Sequence, residues 1–143
     1  MVNQKPEKNF NGLKDNLPVK IILSERTLSD SKGFLTMKYV GVDLVEVKRI
    51  SQLIKNNRFI NRVFTQSEIN YCQSKKNASQ HYAVRFAAKE AVWKALNSQD
   101  IKNKRLTHKD IGIRNSADGS PRVALSNKFK SLKFTTAYTV LNS

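Results

Sequence analysis

Arg85-Phe86-Ala87-Ala88-Lys89-Glu90-Ala91-Val92-Trp93-Lys94-Ala95 is the middle of a stretch that reads as one helix over about residues 81–97. It is rich in alanine and free of glycine and proline, which favours helix. Tyr82, Val84, Phe86, Ala91, Val92 and Trp93, with the alanines between them, place apolar groups on nearly every side. A helix apolar on most sides is a central, buried one. Lys89, Glu90 and Lys94 interrupt that surface, and burying a charge is costly unless it is paired or bound to a metal. Glu90 and Lys94 stand four apart and share a face. On this helix alone two readings are comparable: a plain helical ion pair, worth roughly 0.2–0.5 kcal/mol, or a pair kept for chemistry.

Working outward, residues 39–43 read as a short strand, since Tyr39, Val40 and Val42 favour extended backbone. Gly41 marks a close backbone approach or a bulge. A helix is expected over residues 44–55, with Leu44, Val47, Ile50 and Ile54 at helical spacing. Thr65 followed by Glu68 makes a capping box that starts a second helix reaching Lys75. Residues 75–80 and 98–108 are polar and loop-like. Residues 110–114 and 121–125 read as strands joined through Ser116-Ala117-Asp118-Gly119, where the Asp-Gly pair is a strong hairpin signal. Residues 132–141 can form one more strand, or at most two short ones. Strand, helices, strands is the order of an α+β domain, with an antiparallel sheet packed on the long buried helix.

Residues 1–36 read differently. They are polar, contain Pro6, Gly12, Pro18 and Gly33, and offer one apolar run at residues 19–23. The expectation is a poorly ordered N-terminal extension with at most a short strand at that run, followed by a domain over residues 37–143. Met37 opens a sharply patterned segment and resembles a natural protein start.

The 143 residues carry a net charge of +15. From Met1 to Met37 there are six Lys/Arg against four Asp/Glu, and from Lys38 onward twenty against seven, so the basic character belongs to the domain. Such a field gathers acidic partners: nucleic acid, an anionic membrane or an acidic protein. A lone cysteine, Cys72, excludes an internal disulfide and reads as a packed, inert thiol. No apolar run approaches a membrane span, and the N-terminus has no apolar core of a secretory signal. A cytoplasmic protein without membrane contact is expected.

Asp43 ends the first strand and directly precedes the expected helix. Its ordinary reading is a helix N-cap, but a strand end beside a helix N-terminus is also where phosphate and metal meet. Mg²⁺ takes one or two carboxylates, waters and substrate phosphate oxygens, and Asp43 with Glu90 would supply such a pair. Lys94 would then stand near the same phosphates. His81 and His108 lack metal-ligand spacing and read as surface or helix-end histidines. There is no Walker-type loop, zinc pattern or serine elbow.

Val40-Gly41-Val42-Asp43-Leu44-Val45-Glu46-Val47-Lys48-Arg49-Ile50 resembles the first signature of the holo-acyl-carrier-protein synthases, the AcpS-type 4'-phosphopantetheinyl transferases. The stretch from Arg85 to Ala95 resembles their second, built around Lys-Glu-Ala with a Lys four after the Glu. Between them, Arg62-Val63-Phe64-Thr65-Gln66-Ser67-Glu68 is similar to the family's entry into its second helix. Asp110-Ile111-Gly112-Ile113 and Asp118-Gly119-Ser120-Pro121 are similar to its strand–turn–strand segment. The resemblance implies the 4'-phosphopantetheinyl transferase-like fold and transfer of phosphopantetheine from coenzyme A to a serine of acyl carrier protein, in fatty acid biosynthesis. It implies Mg²⁺ on Asp43 and Glu90, which with Lys94 form the catalytic set. It further implies Lys94, Lys89 and Arg85 toward coenzyme A, Arg49 toward the acidic recognition helix of the carrier protein, and a homotrimer with active sites between subunits.

The chain departs from the family pattern in two places. Asn97-Ser98-Gln99-Asp100-Ile101 has no glycine where the family turns after the second signature. No Ser-Ile-Ser-His-like phrase closes the penultimate strand; Phe134-Thr135-Thr136-Ala137-Tyr138 occupies that region, and the domain reads as about one strand short at its C-terminal end. Two alternatives stand beside the transferase: an inactive member of the same fold, motivated by that shortening, and a small nucleic-acid-binding domain, motivated by charge. Against the second, the tyrosines and phenylalanines fall mostly on core stripes, with no aromatic–basic stacking platform. Nucleic acid is not the expected partner.

Overall fold

The computed structural model describes residues 18–24, 40–97, 105–119, 121–129 and 135–138. Two strands, β1 (Pro18–Ser24) and β2 (Val40–Glu46), lead into four helices: α1 (Val47–Leu53), α2 (Asn57–Val63), α3 (Gln66–Gln73) and α4 (Ala78–Asn97). A 3₁₀ turn at His108–Asp110 opens the hairpin β3 (Ile111–Asn115) and β4 (Pro121–Leu125). A second 3₁₀ turn at Asn127–Phe129 precedes β5 (Thr135–Tyr138). The main sheet runs β2-β1-β5, antiparallel throughout, and β3-β4 stands apart as a two-stranded sheet. This is an α+β architecture with the antiparallel sheet packed on α4.

The apolar run at residues 19–23 forms β1, which lies between β2 and β5. The sheet therefore takes up part of the segment read as an extension. The other positions of residues 1–36, the expected start at Met37 and the segment at residues 98–104 lie outside the described residues.

β2 runs three residues further than the sequence suggests. Leu44, Val45 and Glu46 pair with Lys20, Val19 and Pro18 of β1, so strand partners hold backbone that would otherwise begin the helix. Burial alternates along it: Gly41 and Val45 are buried, Asp43 is half-buried, and Val42 and Leu44 are exposed on the opposite face. That is the two-residue period of a strand. The helix expected over residues 44–55 is confined to α1, Val47–Leu53. Asn56 caps α2 by accepting from the Arg58 backbone N–H at 2.9 Å. α2 is a helix the sequence reading does not contain.

The capping box of α3 forms as expected. Glu68 Oε2 accepts from the Thr65 N–H at 2.7 Å, and Thr65 Oγ1 from the Glu68 N–H at 3.4 Å. α4 begins three residues earlier than expected and is buried at Tyr82, Ala83, Ala87, Ala88, Ala91 and Val92. Phe64 meets Tyr82 edge-on at 4.8 Å between ring centroids, and Phe59 packs on Phe86. In the hairpin, Gly119 adopts φ +81°, the left-handed conformation that glycine allows without steric cost.

β2 touches α4 at Gly41. A Cβ there would lie 1.9 Å from the Ala91 carbonyl oxygen and 2.9 Å from Ala95 Cβ. Only glycine lets strand and helix backbones meet so closely, and this contact brings Asp43 to α4.

Candidate active site

Asp43 lies two residues beyond Gly41 on the same face of β2, toward α4. It is a mid-strand residue. The N-cap and strand-end readings therefore fail, because pairing with β1 carries the strand to Glu46, and Glu46 is the N-cap of α1. Asp43 Oδ1 accepts from Lys94 Nζ at 2.6 Å, and Val42 O stands 3.5 Å from the same ammonium. The Lys94 side chain is 48% exposed and that of Asp43 12%, so the pair sits at the surface with the cation outward.

Glu90 lies one helical turn before Lys94, about 5.4 Å along the axis. The helical ion pair between them is not what forms. Glu90 Oε1 bonds His108 Nε2 at 2.5 Å, from the 3₁₀ turn ahead of β3. Lys94 thus ties Asp43 of β2 to α4, and Glu90 stands one turn before Lys94 on that helix, held by His108. The sequence reading missed His108, which stands eighteen residues from Glu90 and reaches it only because the β3–β4 hairpin docks beside the helix.

Lys89 and Arg85 are placed differently from the expectation that they face coenzyme A. Lys89 is fully buried. An ammonium has three donors, and they meet Glu68 Oε2 at 2.8 Å, His108 O at 2.9 Å and Ile111 O at 2.6 Å. Burial pushes the Lys89 ammonium below its ordinary pKa, while the Glu68 carboxylate acts in the opposite direction. Glu68 also accepts from the Ile113 N–H at 2.8 Å, so this ion pair ties α3, α4 and β3 together. Arg85 is buried too, donating to Asn115 Oδ1 at 2.7 Å and lying 4.0 Å from the Tyr71 ring centroid. Lys89 is satisfied wholly from within the fold, whereas Arg85 reaches the exposed Asn115 of β3 and keeps its Nε without a hydrogen-bond partner among the described residues. Arg49 is exposed on α1. Cys72 is buried and its thiol is pushed up to about 11, chiefly by desolvation, which makes it inert.

The donor set fits Mg²⁺. Two partly exposed carboxylates are the hard oxygen ligands it uses, and its remaining positions go to water and substrate phosphate. Among the described residues no cluster of three or more His, Cys, Asp or Glu forms an all-protein cage.

Residues 39–140 match the model of the 4'-phosphopantetheinyl transferase superfamily. A holo-[acyl-carrier-protein] synthase of Thermodesulfovibrio yellowstonii is 49% identical over 88 residues, 60% of this chain and 74% of that one. The chain belongs to the holo-acyl-carrier-protein synthases of this superfamily. The corresponding enzyme of a Geobacter strain is 40% identical over 94 residues, covering 64% of this chain and 74% of the relative. Among solved structures, the synthase of Bacillus anthracis in complex with coenzyme A (3',5'-ADP) aligns with a TM-score of 0.53 and 32% identity, over 62% of this chain and 76% of that one. The synthase of Neisseria meningitidis aligns with a TM-score of 0.55 and 30% identity, over 65% and 74%. Among the described residues no helix is long and apolar enough to cross a membrane.

Proposed function

We propose that the chain transfers 4'-phosphopantetheine from coenzyme A to a serine of acyl carrier protein, using Mg²⁺ held by Asp43 and Glu90. The observation that carries this reading is the crossed grip of β2 and α4. Asp43 is bound by Lys94, with Glu90 one turn away on the same helix face.

In the reaction the serine hydroxyl attacks the phosphorus joined to pantetheine and gives up its proton to solvent water. The bond from that phosphorus to the bridging oxygen breaks, and adenosine 3',5'-bisphosphate leaves. When bound, Mg²⁺ supplies Lewis-acid neutralisation of the diphosphate. The chain's own residues position and compensate charge, which is most of what phosphoryl transfer asks of a protein. Asp43 and Glu90 present carboxylate oxygens. Lys94, half in solvent, has ammonium protons left over from Asp43 to donate to phosphate oxygens. Exposed Arg49 meets the acidic carrier protein, and the strongly basic domain favours that encounter.

Homotrimeric assembly and a cytoplasmic site of action belong to the same reading. Val42 and Leu44, 42% and 60% exposed on the outer face of β2, support assembly by offering apolar surface to a neighbouring subunit.

The test is incubation with apo acyl carrier protein, coenzyme A and Mg²⁺, followed by intact mass. Gain of the phosphopantetheine mass is expected, with its loss in Asp43→Ala and Glu90→Ala. No mass gain in the parent chain, or near-parent rates in both variants, refutes the proposal.

A further inference from the structure

We infer that His108 is a positioning residue for Glu90: the turn before β3 carries an imidazole N–H that fixes one carboxylate oxygen and aims the other at the metal position. The inference rests on the metal-site reading above and adds to it a residue outside both sequence signatures.

Three residues on one face of α4 hold His108 by three different groups. Phe86 stacks parallel to the imidazole, with 3° between ring planes and 6.2 Å between centroids. Lys89 Nζ donates to the His108 carbonyl oxygen at 2.9 Å. Glu90 Oε1 receives the ring at 2.5 Å. The turn is braced from its other side. Asp110 Oδ2 accepts from the Thr107 N–H at 3.0 Å and the Thr107 hydroxyl at 2.7 Å, and Asp110 Oδ1 from the Ser126 hydroxyl at 2.8 Å. Backbone, ring plane and ring nitrogen are thus each restrained by a separate contact, as a residue built to orient another would be.

The chemistry follows from the acceptor. A carboxylate has no hydrogen to give, so Nε2 carries the proton and donates. Oε1 is then fixed, and among the described residues Oε2 has no partner. A free glutamate side chain would have to lose rotamer freedom when it binds an ion; one already tethered loses less. Hydrogen-bond partners of metal-binding carboxylates are worth about 10–100-fold in metal affinity for this reason.

The experiment uses the full chain with coenzyme A and no acyl carrier protein, and reads Mn²⁺ affinity from water proton relaxation. His108→Phe keeps a ring to stack on Phe86 and removes the donor; His108→Gln restores an N–H of similar reach. The expected result is Mn²⁺ affinity at least about tenfold weaker in His108→Phe, recovered to within about threefold in His108→Gln, with the melting temperature near that of the parent in both. Parent-like Mn²⁺ affinity in His108→Phe overturns the inference, as does failure of His108→Gln to recover it. His108→Asn, whose amide is too short to reach Glu90, gives the same comparison should the Phe variant fold poorly, and parent-like affinity there overturns the inference equally. Asp43→Asn separates the two levels. If it abolishes Mn²⁺ binding while His108→Phe does not weaken it, only the role of His108 falls. If the parent holds no Mn²⁺ that Asp43→Asn removes, the metal-site reading falls and takes this inference with it.

Discussion

Replacing Gly41 by alanine tests the contact on which both the fold and the site depend. The added Cβ would sit 1.9 Å from the Ala91 carbonyl oxygen, whereas ordinary contact begins near 3.4 Å, so strand or helix must withdraw by about 1.5 Å. The obstacle is backbone and cannot rotate away. Overpacking of this kind costs about 1–3 kcal/mol, and a backbone obstacle argues for the upper end. At roughly 4 °C per kcal/mol for a domain of about this size, the melting temperature falls by roughly 12 °C. The same withdrawal carries Asp43 away from α4. Its 2.6 Å bond to Lys94 would open to about 4 Å, beyond hydrogen-bonding reach. A displacement of about 1 Å in a phosphoryl-transfer site can cost on the order of 100-fold in rate. Thermal melts followed by circular dichroism, and transfer followed by intact mass well below the variant's midpoint, measure the two effects separately. A Gly41→Ala chain that melts within about 2 °C of the parent and transfers at its rate would refute the close approach of β2 to α4.

Lys89→Met leaves Glu68 charged and buried without its partner, and is expected to cost about 3–5 kcal/mol in urea unfolding; unchanged stability with weakened coenzyme A binding would return Lys89 to the cofactor. For Asp110, burial opposes ionisation, but bonds from the Thr107 and Ser126 hydroxyls and the Thr107 N–H, with the Lys128 charge, outweigh it and leave the folded pKa below 3.8. Its stabilisation is therefore present above about pH 4 and lost as pH falls through the folded value, so the stability gap between parent and Asp110→Asn should shrink on acidification from pH 7 to pH 3, and a constant gap would contradict the assignment. With its thiol at about 11, Cys72 is thiolate in only about one molecule in a thousand at pH 8, so alkylation in the native chain should be slow and rise sharply with denaturant; rapid native labelling would contradict its burial.

The elements most legible in the sequence were those whose signal is local. α4 announces itself through alanine content and apolar residues on every side, α3 through Thr65 and Glu68, and the hairpin through Asp118-Gly119, whose glycine takes a positive φ. What escaped depends on partners distant in the chain. Leu44 satisfies a helical stripe and a strand alternation equally well, and only the pairing with β1 decides. α2 is seven residues long, too short to establish a period. Glu90 and Lys94 stood out because charge among apolar residues is physically expensive, and Asp43 does meet Lys94, though from mid-strand rather than from a strand end. The fate of Lys89 was not legible, since its partner Glu68 lies on another helix and looked fully employed as a cap. His108 had no local signal at all.

The crossed pairing explains why close docking matters to the chemistry. Glu90 and Lys94 are spaced for an intrahelical ion pair, which needs no tertiary structure and is worth roughly 0.2–0.5 kcal/mol. In the folded chain neither takes it: Lys94 turns to Asp43 on β2, and Glu90 to His108 on the turn before β3. Each cross-element bond must therefore outcompete a local alternative that is always within reach. A small preference suffices if β2 and the turn are held rigidly. That rigidity comes from Gly41 against Ala91 on one side, and from Lys89 bonded to the His108 and Ile111 carbonyls on the other. Loosening either side lets Lys94 swing back to Glu90, uniting acid and base on one helix and leaving Asp43 alone. The buried glycine contact and the buried lysine thus keep Asp43 and Glu90 on separate partners, Lys94 for one and His108 for the other, which is the arrangement the proposed metal site needs.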